Sequence, residues 1–313
     1  MKREYGLEQI EKDGASLVTV GIYDGVHVGH QAILRYLIDR AQQQNGRSVV
    51  LSFDPHPREV LTGEALGLLS TIDERAQMLE ALGLDRFIVL PFTKAFAELS
   101  PEDYIRRILV ERIGLQEIVV GHDHRFGRER AGDVDLLQTL GAQHNFTVDV
   151  IPAQLVDHQI VSSSTIRQAL TENGDVARAA EMLGRRYGLT GTVIHGDGRG
   201  HSIGYPTANI AVNHARKVIP LRGVYAVQAR LMEEEAVYGG MMNIGYRPTF
   251  DGGNTLHLEV HLFNFDRAIY GQSMHITFVE RLRDEQKFGS VDALIAQLAD
   301  DERRARRVLG ELL

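Results

Sequence analysis

The chain has 313 residues, 43% of them hydrophobic and 24% charged, and a formal net charge of −8. That length suits two hydrophobic cores better than one, no apolar run approaches a membrane span, and the negative balance argues against a nucleic-acid partner, whose phosphates reward clustered Lys and Arg. Cysteine is absent, so disulfides are excluded. The charged opening Met1-Lys2-Arg3-Glu4-Tyr5 lacks the apolar core of a signal peptide, which points to a soluble cytoplasmic protein.

In chain order, Leu17 to Ile22 reads as a strand. Gln31 to Gln44 reads as a helix with Ile33, Leu34, Leu37, Ile38 and Ala41 on one face and a stop at Asn45-Gly46. Between them lies Gly21-Ile22-Tyr23-Asp24-Gly25-Val26-His27-Val28-Gly29-His30. Its glycines let a ligand approach the backbone, and the unsatisfied amides of the first helical turn favour an anion. His27 and His30, three residues apart, can both reach one phosphate and stabilise a phosphorus centre during displacement. A plain strand-to-helix turn is the ordinary alternative. A His-x-x-His metal site is a second, although no further ligand is evident nearby.

Strands follow at Val49 to Phe53, Phe87 to Leu90, Ile118 to Val120 and Val148 to Ile151. Asp73 opens a helix that ends near Gly83, and Ser100-Pro101-Glu102-Asp103 opens another with a capping Ser and a Pro in the first turn. The alternation implies an α/β unit, an open parallel sheet with crossover helices and ligands at the carboxyl ends of its strands. Three further motifs fall at such ends or at a helix start: Phe53-Asp54-Pro55-His56-Pro57, Gly121-His122-Asp123-His124-Arg125-Phe126-Gly127, and Ser162-Ser163-Ser164-Thr165-Ile166-Arg167. The last offers hydroxyls, amides and one Arg to a phosphate, although a plain N-cap explains its serines as well.

From about Gly188 the rhythm changes to strands at Thr190 to His195, Val224 to Leu231, Tyr238 to Asn243, Leu256 to Leu262 and Met274 to Val279. An antiparallel barrel is the economical reading, closed by helical stretches at Val291 to Ala299 and Asp301 to Leu312. The change of rhythm sets two domains, residues 1–185 and 186–313. Arg303, Arg304, Arg306 and Arg307, balanced by Asp300, Asp301 and Glu302, read as a solvated helix face.

In this second half, Gly196, Gly198, Gly200 and Gly204 lie in one loop that can cover phosphates, with a ligand-free hairpin as the alternative. Pro206-Thr207-Ala208-Asn209 then sets a hydroxyl and an amide on one side of an extended segment, both oxygen ligands suited to magnesium. Leu256, Leu258, Val260 and Leu262 alternate with His257, Glu259 and His261, so one strand face carries a carboxylate between two imidazoles, for which a solvated strand face is the ordinary explanation when the segment is taken alone.

The first motif resembles the GxFDGxHxGH signature of flavin adenylyltransferases, with Tyr23 in place of Phe, and the three further motifs match that family in order. His124 replaces a Phe and Ser164 a Thr. The second half resembles riboflavin kinases, through the glycine loop, the PTAN segment, the Glu-x-His strand and the stretch Leu282-Arg283-Asp284-Glu285-Gln286-Lys287-Phe288. His201 stands where that family usually has Arg, and Thr165 is a further departure whose effect the pattern leaves open.

The joint resemblance implies a bifunctional riboflavin kinase and FAD synthetase, with a Rossmann-like nucleotidyltransferase domain followed by an antiparallel β-barrel and a C-terminal helix. ATP would lie against His27, His30, Ser163, Ser164 and Arg167, with Gly21, Tyr23, Asp24, Gly29 and Asp123 near the nucleotide and FMN toward Phe53 and Pro57. In the kinase, Glu259 would be the base, Thr207 and Asn209 would hold Mg2+, and Gly196, Gly198, Gly204 and Arg283 would bind substrate. Riboflavin, FMN, FAD and ATP are then the small-molecule partners, with no nucleic acid and no membrane; homo-oligomers are left open. Competing readings are adenylylation of another acceptor, which leaves the PTAN module unexplained, a flavin-sensing module without chemistry, and a metal-binding protein.

Overall fold

The computed structural model describes residues 1–121, 124–152, 155–156, 159–196, 200–248 and 254–310. In its first part, β1 (Lys2–Tyr5) and β2 (Ser16–Val20) precede α1 (Val28–Gln43), β3 (Arg47–Asp54), α2 (Pro57–Thr62) and α3 (Ile72–Ala81). There follow β4 (Arg86–Pro91), α4 (Lys94–Ala97), α5 (Pro101–Asp103), β5 (Leu115–Gly121), α6 (Val134–His144) and β6 (Thr147–Ile151). From α5 the chain runs on into a more widely wound helical stretch, Tyr104–Ile113. The short pair β7 (Leu155–Val156) and β8 (Gln159–Ile160) precedes α7 (Ser163–Gln168) and α8 (Val176–Leu183).

Six parallel strands form one sheet in the order β1-β4-β3-β2-β5-β6. Alternation along the strands gives it two apolar faces. Val18, Val49, Leu51, Ile88 and Ile118 enter one core, and Leu17, Val50, Phe87, Val89 and Val119 enter the other with the inner face of α1. Strand order reverses at β2, which has β3 on one side and β5 on the other. The crevice of such a sheet lies outside the carboxyl ends of the strands at that reversal. The histidine turn follows β2, and the segment from Gly121 follows β5.

Strand β1 was not expected from its charged sequence. Glu4 is its buried residue, and the carboxylate takes Arg86 Nε at 2.9 Å and Nη2 at 3.0 Å from the neighbouring strand. An edge strand built on an ion pair carries no apolar alternation to read. Where Asp73 was expected to open a helix, Thr71 caps α3, with Glu74 closing a reciprocal capping box.

The barrel strands are β9 (Gly188–Ile194), β10 (Ala208–Val212), β11 (Gly223–Leu231), β12 (Val237–Pro248), β13 (Asn254–Leu262) and β14 (Ser273–Arg283). They close in the order β10-β13-β12-β11-β14-β9, with β9 pairing β10 to complete the ring. Tyr225, Val227, Met242, Val260, Ile276 and Phe278 are fully buried. The two expected C-terminal helices are a single one, α9 (Val291–Leu309). Asp301 does not interrupt it, because the side chain is fully buried rather than solvated.

By contacts the chain divides into Met1–Ser163 and Ser164–Leu313, upstream of the change of rhythm near residue 185. The difference has a physical cause in the second unit. There α8 packs against β14, the Leu221 amide donates to Leu170 O, and Gly174 sits against Arg281 and the Tyr225 hydroxyl. A fragment of residues 186–313 therefore lacks helices that the barrel uses. It should show a lower urea midpoint than a fragment of residues 164–313, since each buried apolar side chain removed forfeits roughly 1.5–3 kcal/mol; equal midpoints would mean that these helices add nothing to the barrel.

Candidate functional site

In the first unit the turn from β2 to α1 has an unusual backbone. Tyr23, Gly25 and Val26 have φ of 56°, 78° and 39°, and a β-branched residue in that region is strained. Buried contacts hold it there. The Asp24 carboxylate, 1% exposed, accepts from the amides of Leu69 (3.0 Å) and Ser70 (2.8 Å) and from Ser70 Oγ (3.1 Å), while Arg75 Nη2 stands 3.6 Å away. The Gly25 amide donates to Ser70 Oγ at 2.8 Å, and the Tyr23 hydroxyl is 2.6 Å from Thr19 Oγ1. Asp24 and Tyr23, expected on the nucleotide, thus have their side chains committed inside the protein. Ser70 and Arg75 carried no motif by which sequence could find them.

His27 caps α1, its Nδ1 accepting the His30 amide at 3.3 Å. A neutral His27 then carries its proton on Nε2. The two imidazoles stack, with centroids 3.5 Å apart, and Tyr23 leans on His30 at 4.8 Å. His30 is partly exposed as a residue, yet its Nδ1 is sealed from solvent and has no hydrogen-bond partner among the described residues. Burial, helped by His27 and Arg75, holds its pKa well below the ordinary histidine value. Burial at this position therefore favours the neutral, donating imidazole.

The Gly21 amide donates a hydrogen bond to Leu51 O at 3.0 Å and Gly21 lies against the Tyr23 ring, while Gly29 lies beside the His27 ring. Ser163 joins them by donating from Oγ to Asp24 O at 3.0 Å. Ser164 and Arg167 follow on α7, in the second unit. Phe53 is buried at the end of β3 among Phe92 (5.5 Å) and Phe96 (5.3 Å), and Pro57 opens α2 behind a His56 cap. Asp123 and Gly198 lie outside the described residues.

In the second unit, the β10–β13 register sets Asn209 opposite Glu259, and the β12–β13 register sets Asn243 opposite the same Glu259. The row continues through Val224 on β11 to Arg283 on β14. All five residues line one cavity of about 330 Å³, joined by Thr207, Tyr205 and His261. Leu258 and Val260, which flank Glu259, are buried as their alternation requires. The cavity is roofed from α9 by Leu294 and Leu298.

Backbone contacts shape one end of this cavity. His261 Nδ1 is 2.8 Å from Pro206 O, and the Tyr205 amide donates to Gly200 O at 2.9 Å. Gly196 packs so tightly on the Asn209 amide that a Cβ would overlap it. Gly204 ends a short turn at φ 80°. At the other end, Arg283 donates from Nε to Asp301 Oδ1 (3.0 Å) and Oδ2 (2.9 Å) and from Nη2 to Oδ2 (2.7 Å). Its Nη1 donates to Asp284 O at 2.8 Å, and its guanidinium lies 5.7 Å from the Phe288 ring.

A family model described as FAD synthetase matches residues 9–165, and one described as riboflavin kinase matches residues 183–309. The bifunctional riboflavin kinase/FMN adenylyltransferase of Haemophilus influenzae is 39% identical over 92% of this chain and 92% of its own. Its namesake in Listeria monocytogenes is 38% identical, covering 95% and 93%, and that of Escherichia coli K12 is 36% identical, covering 98% and 96%. A crystal structure from Streptococcus pneumoniae, described as a macrolide-efflux protein, superposes with a TM-score of 0.89 at 30% identity, covering 98% of this chain and 99% of its own. Among the described residues no helix is long and apolar enough to cross a membrane. The order of the two matches, the parallel sheet before the closed barrel, and the likeness along the whole length agree: the chain belongs to the family of bifunctional riboflavin kinases and FMN adenylyltransferases.

Proposed function

We propose that the two units make FAD in succession, with the divided chemistry carried by the residues assembled above. In the second unit, riboflavin and ATP give FMN and ADP; in the first, FMN and ATP give FAD and pyrophosphate. The observation that carries the kinase reading is the row Asn209–Glu259–Asn243 along one cavity wall. Incubation with riboflavin, ATP and magnesium followed by separation of the flavins tests it, with FMN and then FAD expected.

For phosphoryl transfer, Glu259 accepts the proton of the terminal ribityl hydroxyl as its oxygen attacks the γ-phosphorus and ADP leaves. Asn209 and Asn243, directly opposite Glu259 on either side, flank the carboxylate. Thr207, Asn209 and Glu259 form an oxygen-only donor set with one carboxylate, and among the described residues no cluster of three His, Cys, Asp or Glu invites a softer metal. Such a set suits magnesium, which keeps waters and phosphate oxygens. Thr207 and Asn209 would hold it, and when bound it supplies neutralisation of phosphate charge.

For adenylyl transfer, the FMN phosphate is already an anion, so no strong base is needed; its oxygen attacks the α-phosphorus and pyrophosphate leaves. Catalysis is then alignment and charge stabilisation. The neutral His30 donates a hydrogen bond to a phosphate oxygen rather than a full charge, beside the amides that open α1. The functional boundary between the two activities is proposed to lie within 164–186. A cytoplasmic setting follows from the cysteine-free, cofactor-making character of the chain.

Three outcomes check these roles. His30→Ala should lower FAD formation by about a hundredfold or more while FMN accumulates, whereas equal loss of both products in a flavin chromatogram would signal a damaged fold. Glu259→Gln should slow riboflavin phosphorylation by roughly a hundred- to ten-thousandfold and leave supplied FMN to be adenylylated; near-parent phosphorylation would exclude Glu259 as base. The lowered pKa of His30 also means that, below about pH 6.5, the unfolded chain takes up a proton there that the folded one refuses, so the folded state loses stability as pH falls. The melting temperature of His30→Gln minus that of the parent should therefore rise between pH 7.5 and 5; a constant difference would contradict a neutral, buried His30.

A further inference from the structure

The inner stripe of α9 reads Leu294, Leu298, Asp301, Ala305, Leu309, one residue per turn. Leu294 and Leu298 line the cavity, and Ala305 and Leu309 enter the apolar cluster on the barrel. Asp301 stands in the middle of this stripe, 0% exposed, with both carboxylate oxygens on the Arg283 guanidinium and a third donor, Gln297 Nε2, at 2.9 Å. A buried ion pair is weak in stability terms, because a hydrophobic pair of similar volume often serves as well or better. Its geometry is what distinguishes it: the fork of Arg283 is fixed in orientation along the cavity wall.

The row of wall residues gives that orientation a direction. Thr207 and Asn209 stand at the phosphate-loop end, Glu259 comes next, and Arg283 lies three strands beyond Glu259 round the curved wall, an arc of roughly 14 Å at about 4.8 Å per strand. Between Glu259 and Arg283 the row passes Asn243 and then Val224, with the apolar Met241, Phe288 and Leu298 also lining the cavity. A substrate whose hydroxyl meets Glu259 must extend its ring system along this side, and its carbonyl-bearing edge needs donors at the far end. Arg283 spends Nε and part of each terminal nitrogen on Asp301 and the Asp284 carbonyl, and a guanidinium has five N–H groups.

We propose that Asp301 is a positioning residue for riboflavin, holding Arg283 so that its remaining N–H groups face the polar edge of the flavin ring while ATP is bound without its help. This rests on reading the cavity as the kinase site. In steady-state phosphorylation by the full chain, Asp301→Asn should raise KM for riboflavin about tenfold, the worth of one charge-assisted hydrogen bond. KM for ATP and kcat should stay within about threefold, a split that general loosening of the barrel would not produce. Arg283→Ala should do the same, and adding Asp301→Asn to it should bring no further rise, because partners that act through one contact are not additive.

Adenylylation of supplied FMN reports in each variant whether the chain is otherwise sound. Gln297→Met, which removes a single bond to Asp301, should raise KM for riboflavin by about twofold and carries the test should Asp301→Asn fail to fold. Unchanged KM for riboflavin in a folded variant, equal rises for both substrates, or additive losses in the double variant overturn the proposal. A parent protein that makes no FMN overturns the assignment of the cavity itself, and this inference with it.

Discussion

Removing a carboxylate from water costs several kcal/mol unless a cation and hydrogen bonds take its place. Among the described residues four buried acids impose that condition, Glu4, Asp24, Glu117 and Asp301, and each is met by an arginine. Arg86 crosses from β4 to Glu4, Arg75 stands by Asp24, Arg40 of α1 reaches Glu117 at 3.2 Å, and Arg283 forks onto Asp301. Two of these pairs fasten the parallel sheet, one to its edge strand and one to α1. The other two lie beneath the histidine turn and beside the barrel cavity, so the same requirement that ties elements together also fixes the shape of both candidate sites.

The sites differ in electrostatic character. Around His27 and His30 the protein offers stacked imidazoles, one of them held neutral by burial, and helix-start amides, a surface that is not strongly charged. Around Glu259 it offers a carboxylate flanked by two amide side chains. An anionic acceptor and a neutral hydroxyl acceptor need opposite treatment, since one must be drawn in and the other must lose a proton.

Much of this was legible in the sequence because it was written in strict periods. Alternation around Glu259 foretold Leu258 and Val260 inward and the carboxylate outward, and the β–α rhythm foretold the parallel sheet and its crevice. What stayed hidden was long-range. Asp24 looked like a ligand because it sits in a motif, while the groups that occupy it, Leu69, Ser70 and Arg75, lie some distance along the chain. Asp301 looked solvated among Asp300, Glu302 and four arginines, although its spacing from Leu298 and Ala305 placed it on the apolar stripe. Reading α9 as two helices concealed that spacing. Strand β1 had no apolar period to read, and the packing of α8 on β14, which groups residues 164–185 with the barrel by contacts, is recorded in no local pattern.

The closure of the barrel has a temporal side. Strand β9 takes its second neighbour from β14, with Thr192 opposite Ser273 and Leu189 opposite Ile276, so one of its edges stays bare until nearly the whole of the second unit has been synthesised. Bare strand edges are templates for pairing with other chains, and contacts so distant in sequence form slowly. While the ribosome is still making the intervening strands, the nascent barrel is an open sheet with an adhesive margin, and the hazard ends only when β14 emerges to cover it.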